Sequence, residues 1–165
     1  MANVNTDLVT NFVAVPQVLN PAQQLHGVKR IAQGTIALAA GDLSANDTVM
    51  LAPIPSNASI SSIKLYNDDL DSGTTNTADV GLYKQDLSVV DADAYASAIT
   101  DLRGAVKTGT EVAFEARDIN KMGQKVWQDA GLSSDPGLTY FVGISFPAAG
   151  DTAGDLSFVI EYTVS

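Results

Sequence analysis

Two short runs near the C-terminus constrain the fold most strongly, because their apolar residues recur at every second position. Each run places four apolar side chains on one face: Tyr140, Val142, Ile144 and Phe146 in "YFVGISF", and Phe158, Ile160, Tyr162 and Val164 in "FVIEYTV". A period of two is typical of a β-strand with one buried face. The link "PAAGDTAGD" between the two runs has the Gly and Asp content of a loop that joins antiparallel neighbours.

Further strands are predicted upstream, each bounded by turn residues. They are "GVKRIAQGTIALA", "TVMLAPI", "ISSIKLY" and "TADVGLYK". The first is long enough for one strand bent at Gly34. In the third, Ile63 and Leu65 share a face, and Val80 and Leu82 repeat the alternation in the fourth.

Two segments have the spacing of short helices. In "DADAYASAITDL", Tyr95, Ile99 and Leu102 lie at i, i+4 and i+7 behind the acidic caps Asp91 and Asp93. The second segment, "DINKMGQKVWQDAGL", has a predicted N-cap, an apolar face and a C-terminal stop: Asp118, then Ile119, Met122 and Val126, then Gly131. Gly123 lowers the helix propensity of this segment.

The order of these elements predicts a fold class. Seven or eight short strands, without regular alternation of strand and helix, indicate a mainly β protein, a jelly-roll-like antiparallel β-sandwich with two short helical inserts. We expect this sandwich to be a single domain over residues 27–165. Residues 1–26 are rich in amides and lack a sustained period, so we expect an extended N-terminal arm.

Composition excludes several classes of partner. Among 165 residues, Lys and Arg total 9 against 19 Asp and Glu, and the formal charge of −10 opposes binding to nucleic acid or anionic lipid. Cysteine is absent, which excludes disulfides and a thiol nucleophile. We expect a soluble, unexported chain with no membrane partner, since no stretch approaches the roughly 18 apolar residues of a span. A hydrophobic content of 45% suggests that partners cover part of the surface.

The acidic stretch "YNDDLDSG" is the most conspicuous candidate site. Asn67, Asp69 and Asp71 have the alternate spacing that begins an EF-hand loop, but Gly73 comes one place late and Ala78 stands where the bidentate Glu belongs. A polar loop between strands, with Asx side chains bonded to nearby amides, fits better. A surface calcium site is the next alternative, and a catalytic carboxylate pair is the third.

Other candidate residues give no catalytic pattern. His26 is the single histidine, and one histidine cannot supply a multi-histidine metal site. No GxSxG, Walker-type glycine loop or dinucleotide fingerprint occurs. Trp127 favours a core or interface position, with a sugar-stacking platform as the alternative. Lys121 and Lys125 favour a solvated face. We therefore expect no enzyme, no catalytic residue, no cofactor and no metal.

The order of the segments resembles a known group of proteins. The resemblance lies in "LHGVKRIAQGTIAL", "APIPSNASISSIKLYNDDLDSG", "ADVGLYK", "VVDADAYASAI", "GQKVWQDAGLSSDPGLTYFVGISF" and "AGDLSFVIEYTV". In this order the chain, from about His26 to Val164, is similar to the small capsid decoration or cement proteins of tailed bacteriophages.

This resemblance implies a structural role. A cement protein is made in the bacterial host cytoplasm and stabilises the outer capsid surface of the virion by bridging subunits of the major capsid protein. It implies a homotrimer held by apolar faces, with Asp68, Asp69 and Asp71 exposed outside the contact. The expected arm anchors are Phe12, Val13, Val15 and Leu19. The alternative function is a carbohydrate- or receptor-binding module displayed on the virion.

Overall fold

The computed structural model describes residues 4–165. Within these residues it contains eight strands: β1 (Lys29–Leu38), β2 (Thr48–Pro55), β3 (Ala58–Asn67), β4 (Thr77–Tyr83), β5 (Val89–Ile99), β6 (Val106–Glu111), β7 (Thr139–Ala148) and β8 (Gly154–Val164). Three short helices accompany them: α1 (Asp7–Val13), α2 (Ala22–Leu25) and α3 (Val126–Asp129). Single 3₁₀ turns occur at Ala40–Leu43, Asp101–Arg103 and Ile119–Lys121.

The strands form two four-stranded antiparallel sheets. The first sheet has the order β1-β8-β3-β6 and the second β2-β7-β4-β5. The chain crosses repeatedly from one sheet to the other, which is the double Greek key of a jelly roll. The predicted mainly β, jelly-roll-like sandwich is confirmed.

The alternating runs pack as predicted, and the core lies between the two sheets. Ile63 stands opposite Ile160 and Leu65 opposite Phe158 in the first sheet. Val80 stands opposite Ile144 in the second. These side chains are buried and interdigitate across the sandwich.

The link between β7 and β8 was expected to join paired neighbours, and this prediction is wrong. Strand β7 lies between β2 and β4 in the second sheet, whereas β8 lies between β1 and β3 in the first. Both strands are central and already have two partners each. They therefore face each other across the core, and the link crosses from one sheet to the other.

The helix predicted over "DADAYASAITDL" is wrong, because the segment forms most of strand β5. Its acidic residues Asp91 and Asp93 are exposed and alternate with half-buried Ala92 and Ala94, which is the period of a strand. Pairing with β4 favours the strand over the helix for this segment. A Cβ at Gly81 of β4 would lie 2.1 Å from the carbonyl oxygen of Asp91, so the glycine permits this close approach.

The second predicted helix is mostly wrong as well. Only the 3₁₀ turn Ile119–Lys121 and the four-residue α3 form within it. Asp118 caps the turn by accepting a hydrogen bond from the Asn120 N–H at 3.0 Å. Gly123 then takes a positive φ of 87°, which ends the helical path. Ile119 is consequently exposed and does not share a buried face with Val126.

Two further elements were not singled out from the sequence. Strand β6 has weak alternation, and it pairs with β3 through an irregular register. The arm was expected without regular structure, yet it contains α1 and α2. Neither helix buries a large side chain in the core, so the arm lies outside the sandwich.

A buried ion pair fastens the long connection between β6 and β7. The Arg117 guanidinium lies 2.9 Å from the Asp129 carboxylate, and the two side chains are 1% and 3% exposed. Arg117 also donates to the carbonyl of Ile60 in β3, at 3.3 Å. Its guanidinium lies over the rings of Phe114 and Tyr95, 5.1 and 5.6 Å from their centroids.

We predict that the two charges of this pair depend on each other. Replacing Asp129 by Leu leaves a buried guanidinium without a counter-charge, so the free energy of unfolding falls by about 3 to 5 kcal/mol. The double replacement Arg117→Met with Asp129→Leu removes both charges and costs much less than the sum of the single changes. Urea unfolding at pH 7 measures all four proteins; additive losses would contradict the prediction.

The pair also predicts a pH dependence. Burial raises the pKa of the Asp129 carboxyl to about 6, although the neighbouring Arg117 guanidinium lowers it. The folded chain therefore holds a proton that the unfolded chain has released, between the ordinary pKa of Asp and about pH 6. The stability from Asp129 is complete below the ordinary pKa and is lost as pH rises through 6. Relative to the double variant, native stability should fall by about 3 kcal/mol from pH 4 to 7; a flat difference would contradict this.

Candidate functional site

The exposed apolar surface of the arm is the candidate site of this protein. The four predicted anchors are all exposed: Phe12 by 64%, Val13 by 62%, Val15 by 97% and Leu19 by 90%. Among residues 4–26 the single acidic side chain is Asp7, and there is no Lys or Arg. Large apolar side chains with little charge are typical of the centre of a protein interface.

Internal hydrogen bonds give the arm a shape of its own. The Asn11 side-chain amide donates to the Asn20 side-chain oxygen at 2.9 Å, and the Asn20 amide donates to the Leu8 carbonyl at 2.9 Å. The backbone N–H of Val18 donates to the Asn11 carbonyl at 3.1 Å. These bonds fold residues 14–20 back along α1. They bring Val15 and Leu19 into the same unit as Phe12 and Val13, which the sequence order alone did not show.

The arm touches the sandwich across a shallow groove. This groove has a volume of about 390 Å³, and Leu8 and Gln24 line its arm side while Ile60, Met122 and Gly123 line its sandwich side. The hydrogen bonds that the structure gives residues 4–26 stay within that segment. Among the described residues the arm therefore meets the sandwich through contacts across this groove and without a hydrogen bond between them.

The turn beside the groove adds exposed apolar surface that sequence reasoning missed. Ile119 and Met122 were expected to share an apolar helix face with Val126, but both are exposed whereas Val126 is buried. Gly123 is the residue of the sequence that could have indicated this exposure, because its low helix propensity argues against a continuous helix from Ile119 to Val126. Met122 and the arm's Leu8 line the same groove. The candidate surface therefore extends from the arm onto the sandwich.

The acidic stretch "YNDDLDSG" runs from the last two residues of β3 into the loop before β4, as the first of the three alternatives predicted. Asp71 accepts hydrogen bonds from the backbone N–H groups of Thr75 at 3.0 Å and Asn76 at 2.9 Å. Its burial, to 3% exposure, corrects the prediction that Asp71 is exposed. The reason is that a carboxylate bonded to several amides no longer needs water. Asp71 therefore orders the loop.

The neighbouring carboxylates are also used within the fold. Asp68 pairs with Lys107 and accepts a hydrogen bond from the Asp155 N–H at 2.9 Å. These contacts, the Lys107 bond first, lower the pKa of the Asp68 carboxyl. Asp69 is exposed. Across residues 4–165 there is no group of three or more His, Cys, Asp or Glu side chains placed to hold a metal ion.

The two remaining candidate residues belong to different elements. His26 is exposed directly after α2, where its backbone N–H donates to the Ala22 carbonyl at 2.8 Å. Trp127 lies in α3 and is half-buried, and its backbone N–H donates to the Ser56 carbonyl at 3.0 Å. In the described part of the chain the longest helix has 7 residues, and none is long and apolar enough to cross a membrane.

Comparison with known proteins shows where this fold occurs. No family model and no curated protein matches the chain. A chain of the cyanophage Pam1 capsid asymmetric unit has a TM-score of 0.61 at 19% identity, with 100% of both chains covered. A chain of the Ralstonia phage GP4 capsid has a TM-score of 0.60 at 18% identity, over 89% of this chain and 91% of that one. The protein thus shares its fold with chains of two phage capsids.

We predict that Asp71 stabilises the loop much more than Asp69 does. Asp71→Ala leaves several loop N–H groups without an acceptor, so the free energy of unfolding should fall by about 2 to 3 kcal/mol. The matched comparison Asp69→Ala removes a single acceptor, at 3.2 Å from the Asp71 N–H and on an exposed side chain, and should cost at most about 1 kcal/mol. Thermal and urea unfolding measure both variants. Equal effects, or a rise in stability on adding calcium to the native protein, would contradict this assignment.

Proposed function

We propose that this protein is a structural component of a phage virion that decorates the capsid and bridges subunits of the major capsid protein. It acts by binding, without catalysis. The observation that carries the proposal is the exposed, nearly uncharged apolar surface of the arm. The fold supports the proposal as well, because the arm precedes a jelly-roll sandwich whose fold occurs in chains of phage capsids.

The arm supplies what a clamp between shell subunits requires. A clamp needs apolar anchors that a partner can bury, and each fully buried Val, Leu or Phe side chain contributes about 1.5 to 3 kcal/mol. Phe12 and Leu19 are the largest exposed anchors of the arm. Among the described residues no hydrogen bond joins the arm to the sandwich, so only the contacts across the groove must be lost before the arm engages a neighbour.

The distribution of charge favours the outer surface of the capsid. Apart from Asp7, the acidic side chains belong to the sandwich and its loops. An acidic body is repelled by packaged nucleic acid and is well solvated by water. We therefore place the arm against the shell and the sandwich towards the solvent.

A homotrimer is the assembly that we propose for this role. A closed cyclic arrangement buries apolar surface while it leaves like charges at the rim of each contact. The exposed Ile119 and Met122 beside the groove offer a neighbouring subunit an apolar contact next to the arm.

Removal of the arm tests the proposal. We expect a chain without residues 1–25 to keep the folded sandwich, because neither arm helix contributes to the core, and to lose stable attachment to capsids. The measurement is the occupancy of purified shells that lack this protein after incubation with each variant. The substitution Phe12→Ser with Leu19→Ser should reduce occupancy at least tenfold, since two buried anchors are worth more than 1.4 kcal/mol.

The matched control changes exposed apolar residues away from the arm. Leu87 and Val89 belong to the β4–β5 connection and the start of β5, and both are exposed. Leu87→Ser with Val89→Ser should leave occupancy unchanged. Full occupancy by the chain that lacks the arm would reject the arm as the capsid anchor.

The proposed trimer has its own test. Light scattering at low micromolar concentration should report about three chains, and added salt should leave or strengthen the assembly, because it screens the repulsion between acidic subunits. A monomer that stays monomeric as concentration rises, or dissociation in high salt, would contradict a trimer held by apolar faces.

A further inference from the structure

The outer edge of β1 is a long, regular strand edge without a partner in the described chain. Strand β1 has 10 residues and ends the first sheet, with β8 on its other side. Its register with β8 runs from Lys29 to Leu38 without a bulge. Residues 31–38 contain no charged side chain and no proline. Such an edge presents unpaired N–H and C=O groups that readily accept another strand.

The other three sheet edges carry features that discourage pairing. Strand β2 contains Pro53 and Pro55 and an irregularity between Met50 and Ala52. Strand β5 has three register irregularities against β4. Strand β6 has 6 residues and contains Gly109 at a φ of 84°. Proline, bulges and short length are the usual protections of a sheet edge, and β1 has none of them.

An inward-facing cleft opens beside this same edge. It has a volume of about 550 Å³ between β1 and β2, and its lining includes the apolar residues Ile36 and Leu38 and the acidic residues Asp42 and Asp47. The Asp42 carboxylate also accepts a hydrogen bond from the Ala39 N–H at 2.9 Å. Ile36 shares the inward face of β1 with Leu38, yet it is 38% exposed. The core is therefore incomplete along the free edge of β1.

A cation on the same face of the same strand complements this cleft. Arg30 lies an even number of positions from Ile36 and Leu38, so it belongs to the inward face of β1. It is exposed, and it takes part in none of the ion pairs of residues 4–165. In an antiparallel pair of β1 strands, the residues opposite each other share a face. Pairing near the strand centre then places Arg30 opposite Ile36 or Leu38 of the other copy.

We propose that β1 pairs antiparallel with β1 of a second copy of this chain, around a two-fold axis at Gln33 or Gly34. Each Arg30 then enters the acidic cleft of the other copy, where its aliphatic stem covers Ile36 and its guanidinium faces Asp42 and Asp47. The two strands separate their own Lys29 and Arg30 to opposite ends, so like charges do not meet. The two first sheets become one continuous eight-stranded sheet.

This pairing goes beyond the proposed capsid function. It uses the β1 edge, whereas the proposed threefold contact uses the turn at Ile119 and Met122 and the arm faces the shell, so both contacts can form at once. Threefold contacts alone make closed trimers. An added two-fold contact joins neighbouring trimers to one another. Linked trimers bind the capsid through many sites at once, so their overall avidity exceeds the affinity of each single contact.

Single cysteines test the pairing, because the native chain has none. Opposite residues in antiparallel strands have Cα atoms about 4.5 to 5.5 Å apart, within the range of a disulfide. We expect one cross-link on mild oxidation, with all participating thiols consumed. If the two-fold axis lies at Gln33, the Gln33→Cys variant forms a disulfide-linked dimer with itself and Ile31→Cys links to Thr35→Cys. If the axis lies at Gly34, Gln33→Cys links to Thr35→Cys instead.

Charge exchange tests the proposed contact of Arg30. Arg30→Glu, added to the cysteine variants that form the cross-link, makes the contact with Asp47 repulsive and should slow the cross-linking by roughly tenfold. Adding Asp47→Lys to those variants should restore the rate. The matched control Thr108→Cys places a thiol on the free edge of β6 and should give no dimer.

Three results would overturn the pairing. The first is the absence of both cross-links, Gln33→Cys with itself and Gln33→Cys with Thr35→Cys, at concentrations where the chain is otherwise associated. The second is oxidation that stops with one thiol in three unreacted, which indicates a threefold axis. The third is a charge exchange that fails to restore the rate while circular dichroism shows a folded chain. None of these results depends on attachment to a capsid, so they are separable from failure of the proposed function.

Discussion

The buried pair of Arg117 and Asp129 is the interaction on which the arrangement of the surface depends. Residues 112–138 form a long connection with little regular structure, and such a segment needs specific contacts to hold one conformation. Arg117 ties it to β3 through Ile60 and donates to the carbonyls of Lys121 and Gln124, at 3.0 and 3.4 Å. The turn held in this way contains Met122 and Gly123, which line the seat of the arm.

Burying this ion pair nonetheless carries a large desolvation cost. Taking a carboxylate and a guanidinium out of water opposes their attraction, and the raised pKa of Asp129 reports that burial outweighs the effect of Arg117. The guanidinium offsets part of this cost through its contacts with two aromatic rings and three carbonyls. A purely apolar contact would place no carbonyl in a defined direction. The polar contacts fix the path of the turn, and with it the exposure of Ile119.

The surface features for which we propose a binding role all lie at the margins of the sandwich. The arm, the turn at Met122 and the β1 edge surround a core whose own side chains are used in packing. The acidic loop shows the difference between a site and a structural element. Asp71 has the residue type and spacing of a cation ligand, but its carboxylate is occupied by backbone amides. Sequence spacing could not distinguish these outcomes, because either use requires an acidic residue in a loop.

The sequence by itself determined the fold class, the buried faces of the clearest strands, and the apolar, nearly uncharged character of the arm. These properties follow from local periodicity and composition, which do not depend on distant residues. Tertiary structure alone decided that Tyr95 and Ile99 belong to a strand, since their spacing fits a helix and β4 supplies the partner that overrides it. It also decided that β7 and β8 face each other across the core, and that β1 keeps a free edge. A strand can pair only with a strand whose edge is still free, so each pairing depends on all the others. Local sequence therefore cannot determine the strand neighbours.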